Sequence, residues 1–152
     1  MGAKLRNQMT EESAVSDFQQ TAAEFLAGDP YNFAFKIFCT RWKPVIIKAL
    51  SFDEATRFKR FTRHLPITEK VLAQNLRELE EDGLITRTVY AEVPPRVEYR
   101  LTELGKSVCP ILDLIYDWGR RVMYERGVKV DKVGEMWHGY RERDEEVMEP
   151  LR

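Results

Sequence analysis

The chain has 152 residues, of which 43% are apolar and 32% charged, and its net charge is −1. This length accommodates one domain with a hydrophobic core but is too short for two domains of ordinary size. No apolar run approaches the roughly 18 residues of a membrane span, and the N-terminus lacks the apolar core of a signal peptide, so we expect a cytoplasmic protein with no membrane partner.

The near-zero net charge conceals an uneven distribution along the chain. Residues 1–30 carry a net charge of −3 and residues 127–152 a net charge of −2, whereas residues 40–106 carry thirteen basic and ten acidic side chains. The middle of the chain is therefore mildly basic. This is compatible with a surface that faces phosphates, but charge alone does not require one.

The first predicted helix lies near the N-terminus. Thr10 is a favourable N-cap followed by two glutamates, and Gly28 with Pro30 predicts the end of the helix. Apolar residues repeat at alternating spacings of three and four and form one stripe: Val15, Phe18, Ala22 and Phe25. We interpret residues 1–28 as an N-terminal helical extension.

Three shorter segments with helical patterns follow. Residues 32–38 and 42–50 are the first two, and the second has a core-like apolar face made of Trp42, Val45, Ile46, Ala49 and Leu50. The third, RFKRFTRHLP, predicts a short helix that ends at Pro66, with Phe58 and Phe61 facing inward. Its outward face is basic and consists of Arg57, Lys59, Arg60 and Arg63.

The clearest helix is ITEKVLAQNLRELEEDGLI, with Thr68 as N-cap and Gly83 just after its end. Helical spacing places leucines on one face: Leu72, Leu76 and Leu79. The opposite face carries Lys70, Ala73, Gln74 and Arg77. Such side chains can hydrogen-bond base edges or phosphates in a DNA major groove. A lone helix of this kind is more often a plain solvated surface, so its neighbours decide the interpretation.

Two strand-like runs come next, ITRTVYAEV and RVEYRL, with Pro94 and Pro95 between them. Their alternation of apolar and polar residues is typical of half-buried strands. Neither proline supplies an N–H donor, so we expect a stiff projecting tip that presents Arg96. The simpler interpretation is that the prolines only block edge pairing. A basic helix, a turn, a polar-faced helix and a hairpin together make the plan of a winged helix-turn-helix.

The last predicted helix runs from Thr102 to just before Gly127, and Pro110 is expected to kink or restart it. Its apolar seam consists of Leu104, Val108, Ile111, Ile115, Trp118 and Val122, widened by Leu112, Tyr116 and Met123. With the first stripe, this is more apolar surface than a small domain needs. We therefore predict dimerisation through Val15, Phe18, Phe25, Ile111, Leu112, Ile115, Trp118 and Val122. Packing of the two helices within one chain is the alternative.

No pattern in the sequence predicts catalysis, a metal site or a cofactor. His64 and His138 are isolated, no glycine-rich phosphate loop is present, and Cys39 and Cys109 lack CxxC spacing. We therefore predict that the protein is not an enzyme. The two cysteines are expected to be reduced thiols, with a redox role as the alternative, because Arg41 could lower the pKa of Cys39.

The segment from Ile67 to Gly105, together with WKPVII and RFKRF upstream, resembles the HxlR family of bacterial transcriptional regulators, which are relatives of MarR-type repressors. The resemblance covers roughly residues 29–122. It implies that residues 29–127 form a mainly α winged-helix domain with a small β-hairpin wing and a C-terminal dimerisation helix. Residues 128–152 are then a tail of unknown role.

The resemblance also implies a homodimer that binds double-stranded operator DNA at a pseudo-palindromic site and regulates transcription. The recognition helix would be residues 68–82, and the expected DNA-binding residues are Thr68, Lys70, Ala73, Gln74, Arg77, Arg57, Lys59, Arg60 and Arg96. A small-molecule effector of unknown identity is compatible with this function. A winged helix used only for protein contacts is the alternative.

Three positions depart from the pattern of the family. Asp29 and Pro30 stand where many members have Cys-Pro, and in some members that cysteine senses oxidants or electrophiles. The usual thiol sensor is therefore absent. Cys39 and Thr40 replace glycines, and the turn at residues 65–68 lacks the glycine of the family, so the angle between its two helices is not predicted.

Overall fold

The computed structural model describes the backbone of residues 2–130 and the side chains of Ser13 and residues 15–130. From residue 131 onward, the predicted tail lies outside the described residues. The chain divides into two compact units with the boundary between Cys39 and Thr40. Within residues 2–130, no helix has the length and apolar character needed to cross a membrane.

The first unit contains helices α1 (Gly2–Gly28) and α2 (Pro30–Phe38). The prediction that α1 begins at Thr10 is wrong, because residues 2–9 are mostly good helix formers that extend the helix past this capping signal. The start of α2 is fixed by Asp29, whose carboxylate accepts a hydrogen bond from the backbone N–H of Asn32 at 2.7 Å. Pro30 follows at the first helical position, where its missing N–H costs nothing.

Within residues 40–130, the described part of the second unit, there are four helices and three strands. They are α3 (Lys43–Ser51), β1 (Thr56–Arg57), α4 (Phe58–His64), α5 (Glu69–Glu81), β2 (Ile85–Tyr90), β3 (Arg96–Leu101) and α6 (Glu103–Glu125). This arrangement confirms the predicted mainly α fold with a small β wing.

The core of this unit is apolar and is supplied by several elements. Its fully buried residues include Ile46, Ile47 and Leu50 of α3, Phe61 of α4, Leu72, Leu76 and Leu79 of α5, and Leu84 with Ile85. The predicted inward face of α5 is therefore confirmed, and in α4 Phe61 is buried as predicted while Phe58 is only half-buried. In the α3 segment, Trp42 and Val45 are only half-buried, and Ile47 takes a core position that the pattern did not indicate.

The sheet has three antiparallel strands in the order β1-β3-β2. The predicted two-stranded hairpin missed β1, because a strand of two residues has no periodicity to detect. Arg57, predicted on the short helix, therefore lies in β1 opposite Glu98. The predicted strand up to Val93 is also wrong. Pairing ends at Tyr90↔Arg96, and Val93 is fully exposed, because the two prolines cannot donate to the ladder.

The junction between the hairpin and α6 brings backbones into close contact. The hydroxyl of Thr102 donates to the carbonyl of Gly83 at 2.7 Å and accepts from the N–H of Gly105 at 3.1 Å, so Thr102, the predicted first residue of α6, is its N-cap. Gly83 has a φ of 74°, which suits its predicted position after α5. A Cβ at Gly105 would overlap the carbonyl oxygen of Leu84. The helix then continues through Pro110 to Glu125.

We expect Gly105→Ala to lower the free energy of unfolding by roughly 1–3 kcal/mol or more, because the added methyl group must displace backbone. Gly119→Ala, in the same helix, is the matched control. A Cβ there meets no described atom within 4 Å, so this change should be neutral or stabilising by about 0.5–1 kcal/mol. Urea unfolding followed by circular dichroism measures both, and equal effects would contradict the tight junction.

Candidate nucleic-acid interface

Helix α5 exposes one polar face. Lys70, Gln74 and Arg77 are exposed and Ala73 is half-buried, opposite the buried leucines. Thr68 lies at the start of the helix, where its hydroxyl accepts from the backbone N–H of Val71 at 3.4 Å. The structure therefore brings together all five residues that the sequence assigned to this helix. Thr68 is the one whose side chain is already used to cap the helix.

A chain of polar contacts connects this exposed face to the core. The amide nitrogen of Gln74 donates to Glu78 Oε1 at 2.7 Å, and Glu78 Oε2 lies 3.0 Å from the ammonium of Lys43. Lys43 begins α3, is only 3% exposed, and also lies 3.7 Å from Asp82. A lysine buried this deeply needs such partners, because an unpaired charge away from water is costly.

The charge of Glu78 is stabilised by these two neighbours. The hydrogen bond from Gln74, followed by that from Lys43, lowers the pKa of Glu78 below its ordinary value. A carboxyl group with a lowered folded-state pKa stabilises the fold above its unfolded pKa, and this contribution is lost as pH falls through the folded pKa. Glu78 is therefore ionised at neutral pH.

Lys43 and Glu78 also belong to this site, although neither was predicted from the sequence to do so. The spacing of four between Gln74 and Glu78 is a detectable helical signal. Lys43 offered no such signal, because it lies on another helix and meets Glu78 only through the tertiary fold.

The second predicted patch is on α4 and the residue before it. Arg57, Lys59, Arg60 and Arg63 are all exposed, as predicted, and they surround a shallow depression together with His64. Arg60 differs from the others because it forms an ion pair with Asp53 at 2.7 Å. The surface is strongly positive and flanks α5, with which α4 is in contact.

The position of Arg96 at the wing tip differs from the expected one. Arg96 does not project from it. Its guanidinium lies 3.8 Å from the ring centroid of Tyr90, binds Glu92 at 3.0 Å and forms a second ion pair with Glu98. Glu98 also pairs with Arg100 at 3.1 Å. These contacts of Arg96 stabilise the base of the tip. Arg96 would have to break them before it could contact DNA.

The residues predicted for dimerisation have mixed environments. In α6, Ile111, Ile115 and Trp118 are 48%, 46% and 61% exposed, and Leu114, which the sequence analysis missed, is 71% exposed. Val122 is half-buried. Leu112 is only 4% exposed, so its assignment to the contact surface is wrong, because it faces the core of its own chain. In α1, the side chains of Val15, Phe18 and Phe25 are exposed.

The two cysteines have little thiolate character. Partial burial raises the pKa of Cys39, so the expected lowering by Arg41 is wrong; the guanidinium of Arg41 lies instead 5.7 Å from the ring centroid of Trp42. Burial also raises the pKa of Cys109, whose thiol lies 3.7 Å from the carbonyl oxygen of Gly105. Among residues 2–130, no three His, Cys, Asp or Glu side chains form a group that could hold a metal ion.

A family model described as HxlR-like helix-turn-helix matches residues 37–126 of this chain. The chain is also 53% identical, over 81 residues, to an uncharacterised HTH-type transcriptional regulator of Methanothermobacter thermautotrophicus. That match covers 53% of this chain and 61% of the relative, which is less than two thirds of the relative's length.

Solved structures resemble the same part of the chain. The HTH-type transcriptional regulator YtcD, known from Bacillus subtilis, is 40% identical with a TM-score of 0.59, and the match covers 63% of this chain and 98% of YtcD. The redox regulator HypR in its reduced form is 38% identical with a TM-score of 0.60, covering 64% of this chain and 99% of HypR. At these identities the comparison supports the same fold in the matched region.

Proposed function

Because this chain belongs to the HxlR-like helix-turn-helix family, we propose that it is a cytoplasmic, sequence-specific DNA-binding transcriptional regulator that acts as a homodimer on a pseudo-palindromic operator. The observation that carries this proposal is that α5, with its exposed polar face, is in contact with α4, which exposes Lys59, Arg60 and Arg63. The relatives are transcriptional regulators rather than enzymes, in agreement with the prediction that the chain has no catalytic activity.

In this function, α5 is the recognition helix and enters the major groove. Lys70, Gln74 and Arg77 are exposed on successive turns and have the donors and acceptors that base edges and phosphates require. The acidic end of α5 would repel the DNA backbone if it were unpaired. The ion pairs of Lys43 with Glu78 and Asp82 reduce this repulsion at the side of the helix that carries Gln74.

The α4 surface is suited to a different task. Lys59, Arg60 and Arg63 can neutralise phosphates beside the groove, which positions the protein without reading the sequence. Arg60 would first exchange its ion pair with Asp53 for a phosphate. The wing would lie along the DNA backbone or the minor groove. Arg96 would stabilise the conformation of the tip rather than contact DNA first.

The exposed apolar residues of α6 support dimerisation. Ile111, Leu114, Ile115 and Trp118 form a continuous apolar surface on one side of this helix. Burying aromatic and aliphatic side chains of this size against a second copy removes a large apolar area from water. The exposed stripe of α1 offers a second contact of the same kind. A two-fold dimer would place two recognition helices in successive major grooves.

We further propose that cysteine oxidation does not control this regulator. HypR is named a redox regulator, but here Asp29 stands where thiol-sensing members of the family have cysteine, and its carboxylate caps α2. The raised pKa values of Cys39 and Cys109 disfavour the thiolate that reacts with oxidants. A small-molecule effector of another kind stays a prediction.

The reading and positioning roles are separable by mutation. Arg77→Ala should relax the preference at one or two base pairs, at a cost of roughly 1–3 kcal/mol if the contact is bidentate. Lys59→Ala and Arg63→Ala should instead weaken binding to all sequences, and each should reduce the log–log salt slope by about 0.9. Fluorescence anisotropy with selected and scrambled duplexes over a salt series measures both effects.

Lys106→Ala is the control for the DNA-binding variants, since it removes one exposed positive charge from α6 instead of α4. Salt-insensitive binding, or no binding of the wild type to any duplex selected from a random library, would overturn the proposal and favour a winged helix used for protein contacts.

The proposed dimer predicts a second set of results. The wild type should sediment at twice the chain mass of 17.9 kDa, and Ile115→Asp or Trp118→Ala should shift the equilibrium toward monomer and weaken operator binding, because each removes buried apolar area. Tyr124→Ala is a matched control, since Tyr124 is equally exposed but lies on another side of α6. A monomeric wild type that binds operator with full affinity would contradict the dimer.

The redox prediction concerns DNA affinity in the presence of peroxide or a quinone. We expect the wild type and a Cys39→Ser/Cys109→Ala double variant to keep the same affinity with and without oxidant, because neither thiol is activated. Release of the wild type from DNA by oxidant, lost in the double variant, would make these cysteines the effector site.

A further inference from the structure

We propose that Glu78, held by Lys43, is a positioning residue that fixes the side-chain amide of Gln74 and thereby biases Gln74 toward adenine in the base pair that it contacts. This inference rests on the proposed function, and it adds a specificity determinant that does not itself touch DNA. Its basis is the arrangement of Gln74, Glu78 and Lys43 across α5 and α3.

The first step is the orientation of the amide. Gln74 Nε2 lies 2.7 Å from Glu78 Oε1, and an ionised carboxylate only accepts hydrogen bonds. The NH₂ group of Gln74 must therefore face Glu78, which settles the choice between amide nitrogen and oxygen on chemical grounds. The pKa of Glu78, lowered by Gln74 and Lys43, keeps the carboxylate ionised at neutral pH.

The second step is the rigidity of the carboxylate. Its other oxygen lies 3.0 Å from the ammonium of Lys43, and the side chain of Lys43 is only 3% exposed. Lys43 belongs to α3, which also supplies the fully buried Ile46, Ile47 and Leu50. Glu78 is therefore held by a group anchored in the core, whereas an ordinary exposed pair between i and i+4 side chains of one helix is free to separate.

The hydrogen bond to Glu78 limits which groups of the Gln74 amide remain available to a base. A glutamine amide has two donor hydrogens and one carbonyl oxygen, and one hydrogen is committed to Glu78. One donor and one acceptor are left. Adenine presents a donor at N6 and an acceptor at N7 in the major groove, whereas guanine presents two acceptors, O6 and N7. The anchored amide can satisfy both groups of adenine but only one of guanine.

Without the anchor, this discrimination would weaken. A free glutamine can rotate and direct both amide hydrogens toward the two acceptors of guanine, at the entropic cost of choosing that rotamer. The anchor also removes part of this entropic cost for adenine, because the side chain is already ordered before DNA arrives. The contribution of Glu78 is thus to specificity, and its effect should be confined to one base pair.

The test begins by locating that base pair. Duplexes selected from a random library by the full-length wild type define the preferred sequence, and the position at which Gln74→Ala loses preference is the contact. There the wild type should favour adenine over guanine by roughly 5- to 150-fold. Glu78→Ala should reduce this ratio at least about threefold at that pair alone, while Glu78→Gln, which keeps an acceptor oxygen, should restore most of it.

Glu81→Ala is the matched control, because it removes the same charge from the exposed side of α5 and leaves the hydrogen bond between Gln74 and Glu78 in place. Both glutamate variants should raise affinity for all sequences similarly, but only Glu78→Ala should change the adenine-to-guanine ratio. Glu78→Ala leaves the buried Lys43 with Asp82, 3.7 Å away, as an ion-pair partner and is expected to lower stability, whereas Glu78→Gln keeps an acceptor for the ammonium. Urea unfolding selects conditions in which both variants are folded before their base preferences are compared.

The outcomes separate the inference from the function on which it rests. An unchanged ratio in Glu78→Ala, a wild-type preference for another base at the Gln74 position, or an equal loss of preference at every base pair would overturn the inference while operator binding stands. Failure of the wild type to prefer any duplex sequence would instead remove the proposed function itself.

Discussion

The buried ammonium of Lys43 is the constraint on which the presentation of α5 depends. The leucine face of α5 fixes how deeply the helix packs and which side it exposes, but leucines alone tolerate some sliding along the core. Lys43 limits this freedom, since its charge must stay next to Glu78 and Asp82 while it remains shielded from water. The same contact therefore links the core, the C-terminal end of α5 and the exposed Gln74.

The local placement of charged residues in this protein is more informative than its net charge. The net charge of −1 predicts little about DNA, yet α4 and the preceding Arg57 expose four basic residues, and Glu78 and Asp82 of the α5 end are paired with Lys43. In the wing, Arg96 and Arg100 surround the buried Glu98, so these cations hold the hairpin together. These two arginines are therefore used within the hairpin, whereas Lys59 and Arg63 of α4 and Lys70 of α5 are exposed to solvent.

Several features were predictable because the signals that encode them are local. The capping of α5 by Thr68, its end at Gly83, the capping of α6 by Thr102 and the buried leucine face all follow from residues within one or two helical turns. Some local signals gave wrong predictions because another local preference in the same segment was stronger. Because of high helix propensity, α1 begins before Thr10 rather than at it. Because of Pro94 and Pro95, β2 ends earlier than the apolar alternation indicated.

The sequence by itself determined the order of helices and strands, the inward and outward faces of α5, and the family that these residues resemble, because periodicity and capping act between near neighbours in the chain. Only the tertiary structure decided that β1 joins the sheet, that Leu112 faces the core, that Arg96 folds back on Tyr90 and Glu98, and that Lys43 holds Glu78. Each of these depends on distances between separate elements, and burial and ion pairing are set by those distances rather than by the spacing of residues along the chain.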